Sequence, residues 1–227
     1  MQIHVFRDAG EVAEQAAEII AAEARSAVAA RGRFTLALSG GQTPWRMLRA
    51  LAAKDVPWGD VLVFQVDERL APIGSPERNL THLRESLQHA PLRPAQIHAM
   101  PVESPDLEAG AEIYASVLQR IAGVPPVLDL VHLGLGSDGH TASLVPGDPV
   151  LDVRDRDVAP SRIYNGTRRM TLTYPILNRS RRVVWLVTGS EKIEMLARLG
   201  NKDSTIPAGL VRQDCAIVFA DRAASPV

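Results

Sequence analysis

Cysteine is almost absent from this sequence of 227 residues, since Cys215 is the only one. No disulfide can form within the chain, which is compatible with a reducing compartment. Cys215 opens the apolar run CAIVFA, and this run predicts a packed thiol in a buried strand.

Long hydrophobic runs are also missing, and so is an excess of charge of either sign. No segment approaches the roughly 20 apolar residues that a membrane-spanning helix needs. The opening residues, MQIHVFRDAG, lack the basic and apolar parts of a signal peptide. The formal net charge is -1, so neither a nucleic acid nor an acidic membrane is an expected partner. We therefore expect a cytoplasmic protein in which a few local cations bind any anionic ligand.

What the sequence does contain is a regular alternation of strand-like and helix-like segments. Hydrophobic residues make up 46% of the chain, as in a globular protein with a core, and the length favours one domain over residues 1–227. The patterns predict strands at 3–6, 34–38, 61–66, 128–133, 183–187 and 216–220. They predict helices at 9–30 (after an Asp8 N-cap), 44–53, 79–88, 107–122 and 190–199.

This alternation indicates an α/β fold with a mostly parallel, doubly wound sheet and helices on both faces. Residues 146–169, rich in proline and arginine, are predicted to form a long surface loop. The predicted strands lead into four turns rich in polar groups, which read SGGQTP, DER, GLGSDGH and TGSEK. Because parallel strands end at one edge, where such sheets bind ligands, the turns predict a composite site.

The turn SGGQTP suits a phosphate group. Gly40 and Gly41, which follow Ser39, allow the backbone N–H groups to approach a ligand closely. Thr43 can cap the next helix, and Pro44 is preorganised for its first turn. Free N–H groups at a helix N-terminus attract anions. The alternative is an ordinary strand–helix turn.

The turns DER and TGSEK supply cations. Arg69 offers a planar fork for phosphate oxygens, while Asp67 can bind a sugar hydroxyl, take a proton or hold Arg69. Lys192 falls in the first turn of a predicted helix, where a bound anion would offset the unfavourable dipole. Arg168 is expected to add charge at the same mouth, with its neighbour Arg169 left open. A solvated charge cluster is the alternative for each.

The turn GLGSDGH satisfies the pattern G-x-G-x-x-G, yet it does not predict dinucleotide binding. That fingerprint needs a helix directly after the glycines and an acidic residue at the end of a strand about 20 positions on. Here Pro146 and Pro149 limit any helix, and the stretch RDRDV is polar. We instead predict a cradle, including Gly136, that presents Asp138 and His140. A histidine titrates near pH 6.5, so His140 is the predicted general base, and the role of Asp138 stays open.

The other five of the six histidines do not show metal-ligand spacing, so we predict neither a metal nor a cofactor. His132 lies in an apolar segment and is predicted to be a core residue. The rest are expected at the surface or on helix flanks: His4, His82, His89 and His98.

Taken together, these motifs closely resemble the 6-phosphogluconolactonase family. The resemblance runs from LALSGGQTP through VDER, GLGSDGHTASLVPG and RMTLTYPILN to TGSEK and FADRAA, and so covers most of the chain. The related deaminases typically read DGHIAFNEP after the glycines, where this chain reads DGHTASLVPG. This difference favours the lactonases. Val145 stands where the family usually has Phe, and Arg78 precedes Asn79 where Ser is usual. We expect Val145 to affect packing and Arg78 a contact near the substrate mouth.

The resemblance implies a fold related to glucosamine-6-phosphate deaminases and ribose-5-phosphate isomerases. It implies hydrolysis of 6-phospho-D-glucono-1,5-lactone without a cofactor, by a monomer or small homo-oligomer, with His140 activating water. The phosphate would lie among Ser39–Gly41, Arg69 and Lys192. The alternatives are a deaminase or isomerase of the same family and a non-enzymatic sugar-phosphate sensor. The predicted strand at residue 3 leaves no room for a preceding DNA-binding helix-turn-helix.

Overall fold

The computed structural model describes residues 1–225. The strands are β1 (Gln2–Phe6), β2 (Phe34–Leu38), β3 (Val61–Gln65), β4 (Asp67–Arg69), β5 (Ile97–His98), β6 (Leu130–Gly134), β7 (Val158–Tyr164), β8 (Thr167–Leu172), β9 (Arg182–Val187) and β10 (Ala216–Asp221). The helices are α1 (Ala9–Arg31), α2 (Gln42–Ala52), α3 (Asn79–Ser86), α4 (Leu107–Ala122), α5 (Tyr174–Arg179) and α6 (Ile193–Gly200).

Seven strands of the described chain form the main sheet, in the order β1-β10-β9-β6-β2-β3-β5. Every adjacent pair in it is parallel. The predicted parallel α/β sheet is therefore confirmed. Since all seven strands run the same way, the turns that follow β2, β3, β6 and β9 emerge at one edge, as predicted.

The sheet is covered on both faces, which confirms the doubly wound arrangement. Phe34, Leu36 and Leu38 of β2 pack in an apolar cluster with α1, α2 and α3. Ala37, between them, points to the opposite face and belongs to a second cluster with α4, α5 and α6. This alternation follows from the two-residue period of a strand. Among the helices of residues 1–225, none is long and apolar enough to cross a membrane.

Helix α1 begins as predicted, because the Asp8 side chain accepts hydrogen bonds from the N–H groups of Gly10 and Glu11, both 2.9 Å long. Two later helix starts differ from prediction. Helix α2 begins at Gln42, two residues early, with Pro44 inside the first turn, where its missing N–H has no partner to lose. The predicted helix at 190 starts as a tight 3₁₀ turn over Ser190–Lys192 before α6.

The prediction of a surface loop over 146–169 is wrong. Most of its second half forms the hairpin β7–β8, which pairs with β4 in a separate antiparallel sheet of order β4-β8-β7. Asn165 and Gly166 turn the hairpin with φ of 48° and 83°, the signature of an Asn-Gly hairpin turn. Pro160 is tolerated in β7 because β7 is an edge strand.

Two single-residue expectations are also corrected. Cys215 lies just before β10 and is partly buried, so it is not inside the buried strand. Arg78 does not contact the substrate mouth but is buried beneath it. Its Nε lies 3.1 Å from Glu68, and its Nη1 lies 2.6 Å from Glu103.

Glu68 ties the small sheet to helix α3. Its carboxylate accepts hydrogen bonds from the N–H groups of Asn79 and Leu80, at 2.8 and 2.9 Å, and so caps α3 from a neighbouring strand. The side chain of Glu68 is fully buried, and that of Arg78 is only 2% exposed. The pair therefore fixes both the strand that carries Arg69 and the helix that begins at Asn79.

We predict that Arg78→Met lowers the free energy of unfolding by about 3 kcal/mol, since it leaves Glu68 buried without its counter-ion. The measurement is urea unfolding at neutral pH. Arg84→Met, an exposed change on the same helix, is the control and should stay within about 0.5 kcal/mol. A loss below about 1 kcal/mol for Arg78→Met would show that the Gln65 amide and the backbone N–H groups satisfy Glu68 without Arg78.

Candidate active site

The four predicted turns meet around one cavity of about 360 Å³ at the carboxyl edge of the main sheet. Nine of the predicted site residues line it: Ser39, Gly40, Gly41, Thr43, Asp67, Arg69, Gly136, His140 and Lys192. Asn79 from α3 and Arg169 from β8 complete its polar wall. Arg168 and Asp138 do not line it. Arg168 points to the outer side of the hairpin, and Asp138 contacts His140, which does line the cavity.

The sharpest feature of the cavity is the contact between His140 and Asp138. Nδ1 of His140 lies 2.5 Å from Oδ1 of Asp138, and the His140 backbone N–H donates to the same oxygen at 3.1 Å. Partial burial would raise the pKa of Asp138, but hydrogen bonds from His140 and Tyr164 outweigh it and lower that pKa. An ionised carboxylate only accepts, so Nδ1 carries the hydrogen and Nε2 is free to take a proton.

Gly136 makes this contact possible. A Cβ at position 136 would lie 2.1 Å from Nδ1 of His140 and 2.6 Å from Oδ1 of Asp138. The turn is closed by a hydrogen bond from the Gly136 N–H to the His140 carbonyl, at 2.8 Å. Gly139 has a φ of 83° and packs against Ile206. These glycines therefore shape the turn that presents His140 and Asp138. The chain continues into a bridge between residues 141 and 144, where a dinucleotide fingerprint would continue into a helix.

The turn SGGQTP brings the N-terminus of α2 to the cavity. Gly41 is the N-cap, with a φ of 133°, and α2 has no side-chain cap within the described residues. The prediction that Thr43 caps this helix is wrong, because its hydroxyl lies 2.8 Å from that of Thr188 and joins two of the turns. The first N–H groups of α2 are thus left for a ligand.

Two arginines face one another on the wall of the cavity. Arg69 of β4 and Arg169 of β8 are directly paired in the antiparallel register, so both side chains lie on one face. The Nε atoms of both are buried and have no hydrogen-bond partner in residues 1–225. Arg169 is only 6% exposed, and burial lowers its pKa. Two like charges in this position repel unless an anion lies between them.

The prediction that Arg168 reaches the same mouth is wrong. Neighbouring residues of a strand point to opposite faces, so Arg169 faces the cavity, and Arg168 points to a groove on the outer side of the hairpin. The two-residue period of a strand is the signal that separates Arg169 from Arg168. The sequence predicts a loop over residues 146–169, where this period does not apply, so it does not choose between the two arginines.

Lys192 reaches the cavity from the turn after β9. The N–H of Gly189 donates to both carboxylate oxygens of Asp221, at 3.1 and 3.2 Å, which fixes this turn against the end of β10. Asp221 belongs to the tail FADRAA, and no local pattern marked it as a site residue. Its role is to hold the turn that carries Lys192.

Asp67 lies deep in the cavity. Its Oδ2 accepts a hydrogen bond from the hydroxyl of Ser143 at 2.7 Å, and Asn79 donates to its backbone carbonyl at 3.0 Å. Burial raises the pKa of Asp67, and the Ser143 hydrogen bond and the charge of Arg169 offset part of that rise. The sequence allowed three roles for Asp67, one of which was to hold Arg69. The structure does not show that role, since Arg69 donates instead to the carbonyl of Glu77 at 3.3 Å.

Beneath the first turn lies His132, which is fully buried as predicted. Burial lowers its pKa to about 3, so the ring is neutral at physiological pH. Its Nδ1 accepts a hydrogen bond from the N–H of Ser39 at 3.3 Å and supports the loop from below. Among residues 1–225, no group of three or more His, Cys, Asp or Glu side chains is placed to hold a metal ion.

A doubly wound sheet whose carboxyl edge carries a His–Asp pair beside a cluster of cations defines an α/β protein built to bind a small anion. The family described as glucosamine-6-phosphate isomerases/6-phosphogluconolactonase matches residues 7–219. A 6-phosphogluconolactonase of Synechocystis sp. is 38% identical over 203 residues, 87% of this chain and 84% of the relative. The chain therefore belongs to this family.

Solved structures agree with this membership. A 6-phosphogluconolactonase of Thermotoga maritima has a TM-score of 0.86 at 28% identity and covers 97% of this chain and 98% of its own. A glucosamine-6-phosphate deaminase has a TM-score of 0.85 at 19% identity, with 99% of each chain covered. The deaminase likeness shows the fold alone, and it confirms the expected relation between the two folds.

We predict that Asp67→Asn raises stability at neutral pH by about 1 kcal/mol, a rise in Tm of roughly 2–4 °C. The folded pKa of Asp67 lies above the unfolded value, so its stabilising contribution is complete only below the unfolded pKa and is lost as pH rises through the folded pKa. The gain from the uncharged amide should therefore vanish as the pH falls to about 4.

Thermal unfolding across this pH range measures the effect, with the exposed Asp60→Asn as the control. If Asp67→Asn instead destabilises the protein at neutral pH, the pKa of Asp67 is not raised in the folded state. The Ser143 hydrogen bond and the charge of Arg169 would then outweigh the effect of burial on that pKa.

Proposed function

We propose that this chain hydrolyses 6-phospho-D-glucono-1,5-lactone to 6-phosphogluconate, the lactonase step of the oxidative pentose phosphate pathway, without a cofactor. The proposal rests above all on Arg69 and Arg169, whose Nε atoms have no hydrogen-bond partner in residues 1–225 and which line one cavity with His140, the partner of Asp138. The names of the relatives from Synechocystis and Thermotoga support it. We further propose that it acts in the cytoplasm, as a monomer or small homo-oligomer.

The cations and the start of α2 are assigned to the phosphate. A phosphate monoester carries roughly −1.5 to −2 charge at neutral pH and offers three strong acceptor oxygens. Arg69 supplies a planar fork, Lys192 a point charge, and Ser39–Gly41 the approach to the free N–H groups of α2. Bound there, the phosphate relieves the repulsion between the two arginines.

The His140–Asp138 pair is assigned to the lactone carbonyl at the other end of the sugar. The oxygen of a water molecule attacks C1 while Nε2 of His140 takes one of its protons. The ionised Asp138 holds the ring through Nδ1 and stabilises the imidazolium. The tetrahedral intermediate then collapses, the bond from C1 to the ring oxygen breaks, and His140 returns the proton to that oxygen. The immediate products are the C1 carboxylic acid, which keeps the second proton of the water, and a free C5 hydroxyl. The acid then releases its proton to solvent and becomes the carboxylate of 6-phosphogluconate.

The remaining lining groups are assigned to the charge and hydroxyls of the substrate. Arg169 is paired with Arg69 in the register of β4 and β8 and is assigned with it to the phosphate. Asp67 is held by Ser143 and keeps one carboxylate oxygen for a sugar hydroxyl. Gly40 and Gly136 keep the walls close enough for these contacts.

We predict that the protein accelerates acid release from freshly prepared lactone above the spontaneous rate. His140→Ala should lower kcat by about 10²–10⁴-fold, because the general base is lost, while the fold persists. The exposed His89→Ala is the matched control and should keep full activity.

Near-normal turnover by His140→Ala would refute the role of His140. A wild-type protein that leaves the spontaneous rate unchanged would refute the lactonase proposal. Ammonia release from glucosamine 6-phosphate would instead identify a deaminase.

A further inference from the structure

We infer that Tyr164 is a positioning residue of this site, which sets the charge balance of the His140–Asp138 pair and holds Arg169 beside it. The inference rests on the proposed function for its catalytic meaning, but not for its geometry. Tyr164 belongs to β7, in the segment that the sequence predicted as loop, and it is not among the residues that line the cavity in the described chain. It therefore acts through its neighbours.

A bulge in the hairpin turns Tyr164 toward the site. Ser161 pairs with Arg169, and Tyr164 pairs with Thr167, so one extra residue lies on β7 between these two pairs. Residues three apart on a regular strand face opposite sides, yet the partners of Ser161 and Tyr164 are only two residues apart on β8 and so share one face. Arg162 and Ile163 lie between these two pairs, opposite Arg168 alone, and absorb the difference.

The hydroxyl of Tyr164 shares the carboxylate of Asp138 with His140. It donates to Oδ2 of Asp138 at 3.1 Å, while His140 holds Oδ1. The same hydroxyl lies 3.5 Å from Nδ1 of His140. A donor on Oδ2 stabilises the negative charge and weakens the hold of that charge on the imidazolium. Tyr164 thus limits how strongly Asp138 favours the protonated ring.

The ring of Tyr164 contacts both His140 and Arg169. Its centroid lies 5.3 Å from that of His140 in an edge-on contact of 64°, and the guanidinium carbon of Arg169 lies 5.0 Å from the same centroid. A cation over an aromatic face is attracted to it. One side chain therefore joins the acid–base pair to the buried cation, and Asn165 and Gly166 fix it at the end of β7.

The charged groups around the pair come from several elements. Arg169 approaches from β8, Asp67 from β4, and Lys192 and Glu191 from the turn after β9. These groups are unchanged in a variant that alters Tyr164 alone. A shift in titration on removing the hydroxyl is therefore assigned to the bond with Asp138.

The test compares Tyr164→Phe, Tyr164→Leu and the control Ile163→Ala, whose side chain is 70% exposed on the outer face. Phenylalanine keeps the ring and removes the hydroxyl. We expect the acid limb of the profile of kcat/KM against pH to move up by about half a unit, because Asp138 then holds the imidazolium more strongly. We expect kcat to fall about 3–10-fold with KM unchanged. Leucine also removes the contact with Arg169 and should raise KM by about 10-fold.

Titration of the His140 ring followed by NMR, assigned with His140→Asn, gives a readout that does not depend on activity. The midpoint should rise in Tyr164→Phe and stay unchanged in Ile163→Ala. An unshifted midpoint in Tyr164→Phe refutes the inference, whatever the activity. A shifted midpoint in a protein without lactonase activity supports the positioning role and refutes the proposed function.

Discussion

Arg69 and Arg169 face one another across two neighbouring antiparallel strands, and this like-charged pair is the constraint on which the rest of the site depends. Strands β4 and β8 place them on one face, and Glu68 with Arg78 fixes β4 from behind. Tyr164 backs one guanidinium, and Asp67 lies buried near it. Each contact offsets part of the repulsion between the two guanidinium groups. A bound anion would offset the rest.

The arginines come from segments that are far apart in the sequence. The proposed acid–base pair, in contrast, comes from two residues of the same short turn. Asp138 and His140 are two positions apart, and a turn that tolerates no Cβ at Gly136 brings their side chains into contact. The turn is part of the main sheet edge, whereas the arginines belong to the small sheet. Both groups line the same cavity, and the proposed function assigns the charge of the substrate to the arginines and proton transfer to His140 and Asp138. A phosphorylated sugar lactone carries its charge and its reactive carbonyl at opposite ends, which is the reason that this division suits it.

The parts of the site that the sequence revealed are those encoded within a few residues. SGGQTP, GLGSDGH and TGSEK each follow a strong apolar strand, and the rule that parallel strands end at one edge brought them together. Arg169 stayed undecided against Arg168, and Tyr164 and Asp221 were missed, because their places depend on pairing between distant segments. The choice between Arg168 and Arg169 required the register of β8, and the direction of Tyr164 required a bulge. The stretch around both was rich in proline and arginine, and its Asn-Gly turn was the one local signal of a hairpin.

In the proposed binding mode a sugar phosphate enters this cavity in one direction, with phosphate at the cations and C1 at His140. A crystal structure with 6-phosphogluconate bound distinguishes this direction from its reverse. We expect phosphate oxygens within about 3.5 Å of Arg69, Lys192 and the first N–H groups of α2, with the C1 carboxylate at similar distance from Nε2 of His140. A ligand bound in the reverse direction, with its phosphate against His140, would contradict the proposed binding mode.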